Sequence, residues 1–124
     1  GKGYLVGPGG GVEIEEPMPD AIVREVHEET GLEVQPGKLL AIEDLLSKQH
    51  RLIKIWFVCT LVGGQLTVNT QEALAESIID VAWYTKEQLT HEVVYPSIIT
   101  ECAWEQFFKA DWVVQYLGLS KADF

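Results

Sequence analysis

Cysteine and positive charge are both scarce in this chain of 124 residues, and each scarcity excludes a class of protein. The only cysteines are Cys59 and Cys102, too few for a disulfide framework, so both are predicted to be reduced thiols in or near the core of a cytoplasmic protein. Nine Lys and Arg residues against 19 Asp and Glu residues give a net charge of −10, which argues against a nucleic-acid polymer as partner. An acidic protein can still bind a phosphorylated small molecule where a metal ion supplies local positive charge.

Long hydrophobic runs are also missing. No apolar stretch approaches the roughly 18–20 residues of a membrane span, so no membrane partner is expected. The opening GKGYLVGP has too short an apolar segment for a secretory signal. Hydrophobic residues nevertheless make up 47% of the chain, and with no repeat or linker to divide it, residues 1–124 are predicted to form a single domain with one core.

Strand and helix signals alternate irregularly along the chain. Apolar, β-branched runs predict strands over residues 4–6, 39–46, 52–62, 66–68 and 78–83, with Gly63-Gly64 as a hairpin turn. Helices are predicted from about residue 17 to Thr30, from about residue 85, and over residues 98–117, where aromatics recur at helical spacing. The four tryptophans are read as core residues. Such a mixture without regular βαβ units predicts an α/β fold with a mixed sheet flanked by helices.

The first predicted helix carries an acidic stripe. Glu25, Glu28 and Glu29 fall within roughly a 100° arc, because each helical residue advances by ~100°. Aligned carboxylates repel each other, and a hard divalent cation removes that penalty. Acidic stripes are usually solvated faces. Here a glycine-rich turn precedes the helix, and Arg24 is spaced to bridge Glu28 or Glu16, which favours a metal site for diphosphate chemistry.

This spacing resembles the Nudix box, G-x5-E-x7-R-E-U-x-E-E-x-G-U, in which U is aliphatic. Every defined position is filled, by Gly10, Glu16, Arg24, Glu25, Val26, Glu28, Glu29, Gly31 and Leu32. The lead-in PGGGVE and the later DVAWY segment are also similar to that family. The resemblance implies a Nudix-type α/β/α sandwich around a mixed sheet, and hydrolysis of a nucleoside diphosphate linked to another group with Mg²⁺ or Mn²⁺.

The resemblance also implies a role for each matching residue. The metal ligands would be Glu25, Glu28, Glu29, Glu76 and a backbone carbonyl of Gly9 or Gly10. Arg24 would orient Glu25 or Glu28, and Glu16 would support the site. The general base would be Glu28 or a glutamate of the loop before Trp83, with Glu76 preferred to Glu72. The substrate would be contacted by the lead-in residues Gly9, Gly10, Gly11 and Glu13.

Substrate and assembly are less constrained by the sequence. Residues 47–50 hold neither the proline nor the tyrosine that marks subfamilies acting on ADP-ribose or diadenosine polyphosphates. A (deoxy)nucleoside triphosphate, cleaved to NMP and pyrophosphate, is therefore the first candidate, and ADP-ribose or a nucleotide sugar the second. A nucleotide sensor without hydrolytic activity is the third, although intact box glutamates argue against it. Only seven residues precede Pro8, so the N-terminal strand region is expected to be short or missing. An unpaired sheet edge then favours a homodimer.

Overall fold

The computed structural model describes residues 4–67, 81–122 and 124. Its regular elements, in chain order, are β1 (Leu5–Val6), α1 (Met18–Thr30), β2 (Leu32–Leu46), β3 (Arg51–Gly64), a first 3-10 helix (Glu87–His91), β4 (Val94–Tyr95), α2 (Ile98–Glu101), a second 3-10 helix (Trp104–Phe108) and β5 (Gln115–Lys121).

The main sheet has the strand order β3-β2-β5. β2 is antiparallel to β3 and parallel to β5, so the sheet is mixed, and the predicted α/β fold is confirmed. A separate two-stranded parallel sheet joins β1 to β4. Within the described residues, no helix combines the length and the apolar character needed to cross a membrane.

Helix α1 has the ends that its sequence predicts. Pro17 is the N-cap and another proline follows in the first turn, where no helical N–H is lost. Gly31 closes the helix in the left-handed conformation at φ 78°, and its N–H donates to the carbonyl of His27. A Cβ on Gly31 would lie 2.5 Å from the carbonyl oxygen of Gln65, so the closure also requires the absence of a side chain. β2 begins at the next residue, which fixes the end of α1 against the sheet.

The β2–β3 hairpin differs from the prediction at its far end. Gly63 and Gly64 are not a hairpin turn but the last residues of β3, paired with Glu33 and Leu32. The reason is that β2 starts at Leu32 rather than residue 39, so that β3 has a partner strand over its full length. Of the predicted strand 66–68, residues 66 and 67 are not in a strand and residue 68 lies outside the described residues.

The predicted helix over residues 98–117 is wrong. The segment holds the single turn α2, the second 3-10 helix and the start of β5. Phe107 is buried and Trp104 and Trp112 pack against the same core cluster, whereas Phe108 is 68% exposed, so these rings reach the core from short separate elements and not from a continuous apolar helix face. The β-branched pair Val113-Val114 leads into β5, and β-branched residues favour extended backbone.

The predicted strand 78–83 is not seen in its described part, residues 81–83. Trp83 is 64% exposed, which corrects its assignment to the core. The other three tryptophans are partly buried and pack against the core. The indole N–H of Trp104 donates to the Ile99 carbonyl at 2.8 Å, and that of Trp112 to the Leu40 carbonyl at 3.0 Å.

Strand β2 supplies the centre of the core. One buried cluster contains Leu40, Ala41, Ile98 and Phe107, and a second contains Leu45, Tyr95 and Ala122. Asp44 is buried and accepts hydrogen bonds from Arg51 on β3 and Tyr116 on β5, and so links the three strands. The hydrogen bond from Tyr116 and those from Arg51 lower the pKa of Asp44. This rigid sheet is the support on which α1 and the glycine-rich turn are placed.

Candidate functional site

Arg24 is the centre of the acidic stripe on α1. Its Nε and Nη2 donate to the two carboxylate oxygens of Glu16, each at 2.9 Å, in the forked geometry that suits guanidinium and carboxylate. Its Nη1 donates to Glu25 at 2.9 Å and to Glu28 at 3.3 Å. Its Nη2 also donates to the carbonyl of Gly11 at 3.0 Å. One side chain therefore ties three carboxylates and the glycine-rich turn together, as its spacing from Glu16 and Glu28 predicts.

The pKa values follow from these contacts. The hydrogen bonds from Arg24, followed by that from the Glu13 backbone, lower the pKa of Glu16 from 4.5 to about 2. The hydrogen bonds to Glu16 and then Glu25 raise the pKa of Arg24. The two groups therefore stay ionised at neutral pH, and the fork between them is held by charge as well as by geometry.

Glu25 is pressed against the turn at Gly10. It is only 7% exposed, and a Cβ built on Gly10 would lie 2.4 Å from its carboxylate. Real Cβ atoms do not approach so closely, so the Glu25 carboxylate occupies the place that a side chain at residue 10 would need. A side chain at residue 10 would therefore displace the Glu25 carboxylate, which stands at the end of a flexible side chain.

Glu29 is the second buried carboxylate of the stripe, also 7% exposed. It accepts the backbone N–H of Gly9 at 2.9 Å, which fixes the turn to α1 across 20 residues of sequence. Glu28 is more accessible, with a side-chain exposure of 35%. The structure thus brings Glu25, Glu28 and Glu29 to one side of α1, with Gly9 and Gly10 packed against the two buried members.

The donor chemistry of this site suits a hard divalent cation, since such ions prefer carboxylate and carbonyl oxygens. Within residues 4–67, 81–122 and 124, no three His, Cys, Asp or Glu side chains converge closely enough to hold a metal ion. The Nη1 of Arg24 instead bonds both Glu25 and Glu28. The residues fit a cation by type and burial, while their carboxylates are directed to Arg24 and to the turn.

The remaining predicted site residues are less closely engaged. Glu13 is exposed, its carboxylate lies 3.9 Å from Arg24, and its N–H donates to Glu16 at 3.1 Å. Gly11 contributes its carbonyl to Arg24. Glu76 and the second choice Glu72 lie outside the described residues.

Sequence reasoning missed Glu43, which is 3% exposed near the C-terminal end of β2. Its carboxylate accepts the indole N–H of Trp56 at 3.0 Å, and the Trp56 ring packs on Gly7, just before the glycine-rich turn. The available signal was a glutamate inside the apolar run LLAIEDLL, where a charge is costly without a specific partner.

Comparisons with known proteins agree with this arrangement. A family model described as the NUDIX domain matches residues 1–102. An ADP-ribose pyrophosphatase of Methanocaldococcus jannaschii is 34% identical over 95 residues, which cover 75% of this chain and 56% of that protein. The human 8-oxo-dGDP phosphatase NUDT18 is 36% identical over 89 residues, covering 72% of this chain and 25% of that protein.

A putative nudix hydrolase 1 of Caenorhabditis elegans is 38% identical over 90 residues, covering 72% of this chain and 22% of that protein. The chain therefore spans between about a fifth and just over half of the length of these curated relatives. No solved structure matches the chain significantly. The family model covers most of the chain, and the motif that defines the family is the Arg24-centred stripe described above: the chain belongs to the NUDIX family.

Proposed function

We propose that this chain hydrolyses the phosphoanhydride bond of a nucleoside diphosphate linked to another group, with Mg²⁺ or Mn²⁺ as cofactor. The observation that carries the proposal is the set of hydrogen bonds by which Arg24 fixes Glu16, Glu25 and Glu28 beside a turn that Glu29 also holds. Acidic side chains on a solvated helix face do not need to be held in one position. It is useful where carboxylates must bind a cation in one fixed geometry.

The proposed ligands are Glu25, Glu28 and Glu29, with the carbonyl of Gly10 and Glu76 as further candidates. When bound there, a divalent cation offsets phosphate charge and lowers the pKa of a bound water. Arg24 supports the geometry of Glu25 and Glu28, and the turn at Gly9–Gly11 supplies backbone against which the diphosphate is placed. Glu28, the most accessible of the three helix glutamates, is the proposed base that accepts the water proton, with Glu76 as the alternative.

Two classes of substrate have separate support. Residues 47–50, after the box, hold neither proline nor tyrosine, which favours a (deoxy)nucleoside triphosphate, with attack at the α–β linkage and release of NMP and pyrophosphate. The archaeal relative is named for ADP-ribose, and this favours ADP-ribose or a nucleotide sugar as the second candidate. The human relative is named for 8-oxo-dGDP, which adds oxidised deoxynucleotides to the set to be tested. The homodimer, the cytoplasmic location and the single domain over residues 1–124 stay predictions.

A panel assay tests this function. We expect Mg²⁺-dependent turnover when the protein is given the eight common nucleoside triphosphates, 8-oxo-dGDP, ADP-ribose and diadenosine polyphosphates, with phosphate, pyrophosphate and nucleoside monophosphate measured separately. Pyrophosphate from a triphosphate would identify the first substrate class, and AMP from ADP-ribose the second. Loss of turnover on addition of a chelator, restored by Mg²⁺ or Mn²⁺, is part of the expected result. Nucleotide binding seen as a melting shift, with no turnover of any compound, would replace the hydrolase by a sensor.

A single methyl group at Gly10 is expected to lower kcat. In Gly10→Ala the new Cβ displaces the Glu25 carboxylate, and a misplacement of about 1 Å at a reacting centre costs up to ~10²-fold in rate. Gly11→Ala is a comparison within the same turn: a Cβ at residue 11 meets nothing within 4 Å, so the Glu25 carboxylate stays in place, and an effect through the proposed substrate contact is expected in KM and not in kcat. Kinetics and circular dichroism of both variants check the prediction. A kcat of Gly10→Ala equal to that of wild type would show that the position of Glu25 does not matter to the reaction.

A further inference from the structure

We propose that Glu43 is a positioning residue for the glycine-rich turn, and that it acts through the indole of Trp56. The inference rests on the proposed function, because it assigns a further residue to the same site. Glu43 lies on β2, and its carboxylate is hydrogen-bonded to the Trp56 indole. Its effect passes from its carboxylate to the Trp56 ring, from that ring to Gly7, and from Gly7 along the turn to Gly9 and Gly10.

The first link is the buried carboxylate. Glu43 is 3% exposed, and an acidic group is rarely buried to this extent without a specific reason. Its Oε1 accepts the Trp56 Nε1–H at 3.0 Å. Lys54, the cross-strand neighbour of Glu43 on β3, faces the same pair, with its Nζ 5.8 Å from the centre of the Trp56 ring. Burial raises the pKa of Glu43, while the Trp56 hydrogen bond and the charge of Lys54 oppose that rise.

The second link is the contact between the indole and Gly7. A Cβ on Gly7 would lie 2.7 Å and 3.1 Å from two carbons of the six-membered ring of Trp56, so the backbone rests directly on that ring. An aromatic ring can rotate about two side-chain torsions. The hydrogen bond from Nε1 to Glu43 restricts that rotation and keeps one orientation of the ring under Gly7.

The third link joins Gly7 to the proposed ligands. Gly7 is also held by its own N–H, which donates to the carbonyl of Tyr95 at 3.1 Å. Two residues later the Gly9 N–H meets Glu29, and one residue after that Gly10 abuts Glu25. Gly7 and Gly10 are separated by three Cα–Cα steps of about 3.8 Å each, and the Gly9 bond to Glu29 fixes the segment between them, so a displacement of Gly7 is expected to reach Gly10. A shift of the Trp56 ring therefore reaches both buried carboxylates of α1.

The test combines substitutions that separate the hydrogen bond from the charge. Glu43→Met keeps the approximate volume and removes the acceptor, whereas Trp56→Phe removes the donor together with the outer ring carbons that meet Gly7. Each is expected to lower kcat on the order of tenfold, with a smaller change in KM. The double variant is expected to lower kcat no further than Trp56→Phe alone, because that substitution already breaks the link through Glu43. Glu43→Gln retains an amide oxygen that can accept the indole N–H, and is expected to keep kcat within about twofold of wild type.

A second readout does not depend on activity. In ¹⁵N–¹H NMR spectra of the metal-free protein, Glu43→Met and Trp56→Phe are expected to shift the amide resonances of Gly9 and Gly10, whereas Glu43→Gln leaves them in place. Leu89→Val is the control for stability alone, because Leu89 is buried in the first 3-10 helix. It is expected to lower Tm without moving those two resonances.

Two results would overturn the proposal. In the first, Glu43→Met lowers Tm as Leu89→Val does but leaves kcat and the Gly9 and Gly10 resonances unchanged, so that Glu43 is only structural. In the second, Glu43→Gln lowers kcat as much as Glu43→Met does, so that the negative charge of Glu43 and not the hydrogen bond that it accepts is needed. A wild-type protein without turnover in the substrate panel would contradict the proposed function, and the NMR comparison would then decide the positioning role by itself.

Discussion

Glu28→Gln is expected to lower turnover by at least ~10²-fold while the fold is kept, because the loss falls on proton transfer and cation binding in the transition state. Glu28 is partly exposed and accepts one hydrogen bond from Arg24 at 3.3 Å, and a glutamine oxygen can accept the same bond. The substitution therefore removes basicity and charge with little change of shape. Steady-state kinetics at saturating Mg²⁺, with Tm measured alongside, checks the expectation.

The matched control is Glu101→Gln, which makes the same chemical change at an exposed residue of α2. It is expected to leave kcat within about twofold of wild type, as exposed substitutions away from special features have small effects. Glu29→Gln is expected to match the loss in Glu28→Gln, since the Gly9 N–H keeps an acceptor while a proposed ligand is lost. Glu76→Gln decides between the two proposed bases. Wild-type kcat in Glu28→Gln would remove Glu28 from the mechanism.

The local part of the site was predictable from sequence because its geometry is that of one helix. The arc of Glu25, Glu28 and Glu29 follows from helical periodicity, and the stop at Gly31 follows from its freedom to adopt positive φ. The bond from Arg24 to Glu28 likewise spans a single helical turn. Such features depend on few residues and short distances along the chain, so composition and spacing determine them.

The parts that could not be predicted depend on contacts between distant segments. The partnership of Glu43 with Trp56 requires the β2–β3 register, and spacing alone does not fix a register. The same limit explains the error over residues 98–117. There, a helical spacing of aromatics competed with the gain from adding β5 to the edge of β2, and the tertiary pairing prevailed.

Arg24→Lys is the prediction with the second largest expected effect, a loss of turnover of about 10²-fold from a substitution that conserves charge. The guanidinium makes five hydrogen bonds, two to Glu16 and one each to Glu25, Glu28 and Gly11. An ammonium has three donors on one atom and cannot reproduce a planar fork to Glu16 while it also reaches α1 and the turn. Arg51→Lys is the control, because Arg51 is a largely exposed arginine that pairs with Asp44 of the main sheet.

The acid dependence of stability gives Arg24 a test that does not involve activity. The folded-state pKa of Glu16 is about 2, below its ordinary value of 4.5, chiefly because of Arg24. The depressed pKa means that this pairing stabilises the fold fully above pH 4.5, and that the stabilisation is lost as the pH falls towards 2. Arg24→Gln is therefore expected to be less stable than wild type at neutral pH, with the difference narrowing between pH 4.5 and 2. Denaturant-induced unfolding of both proteins across that pH range measures the difference in their free energies of unfolding. A constant difference at every pH would show that Arg24 stabilises the protein by packing and not by its bond to Glu16.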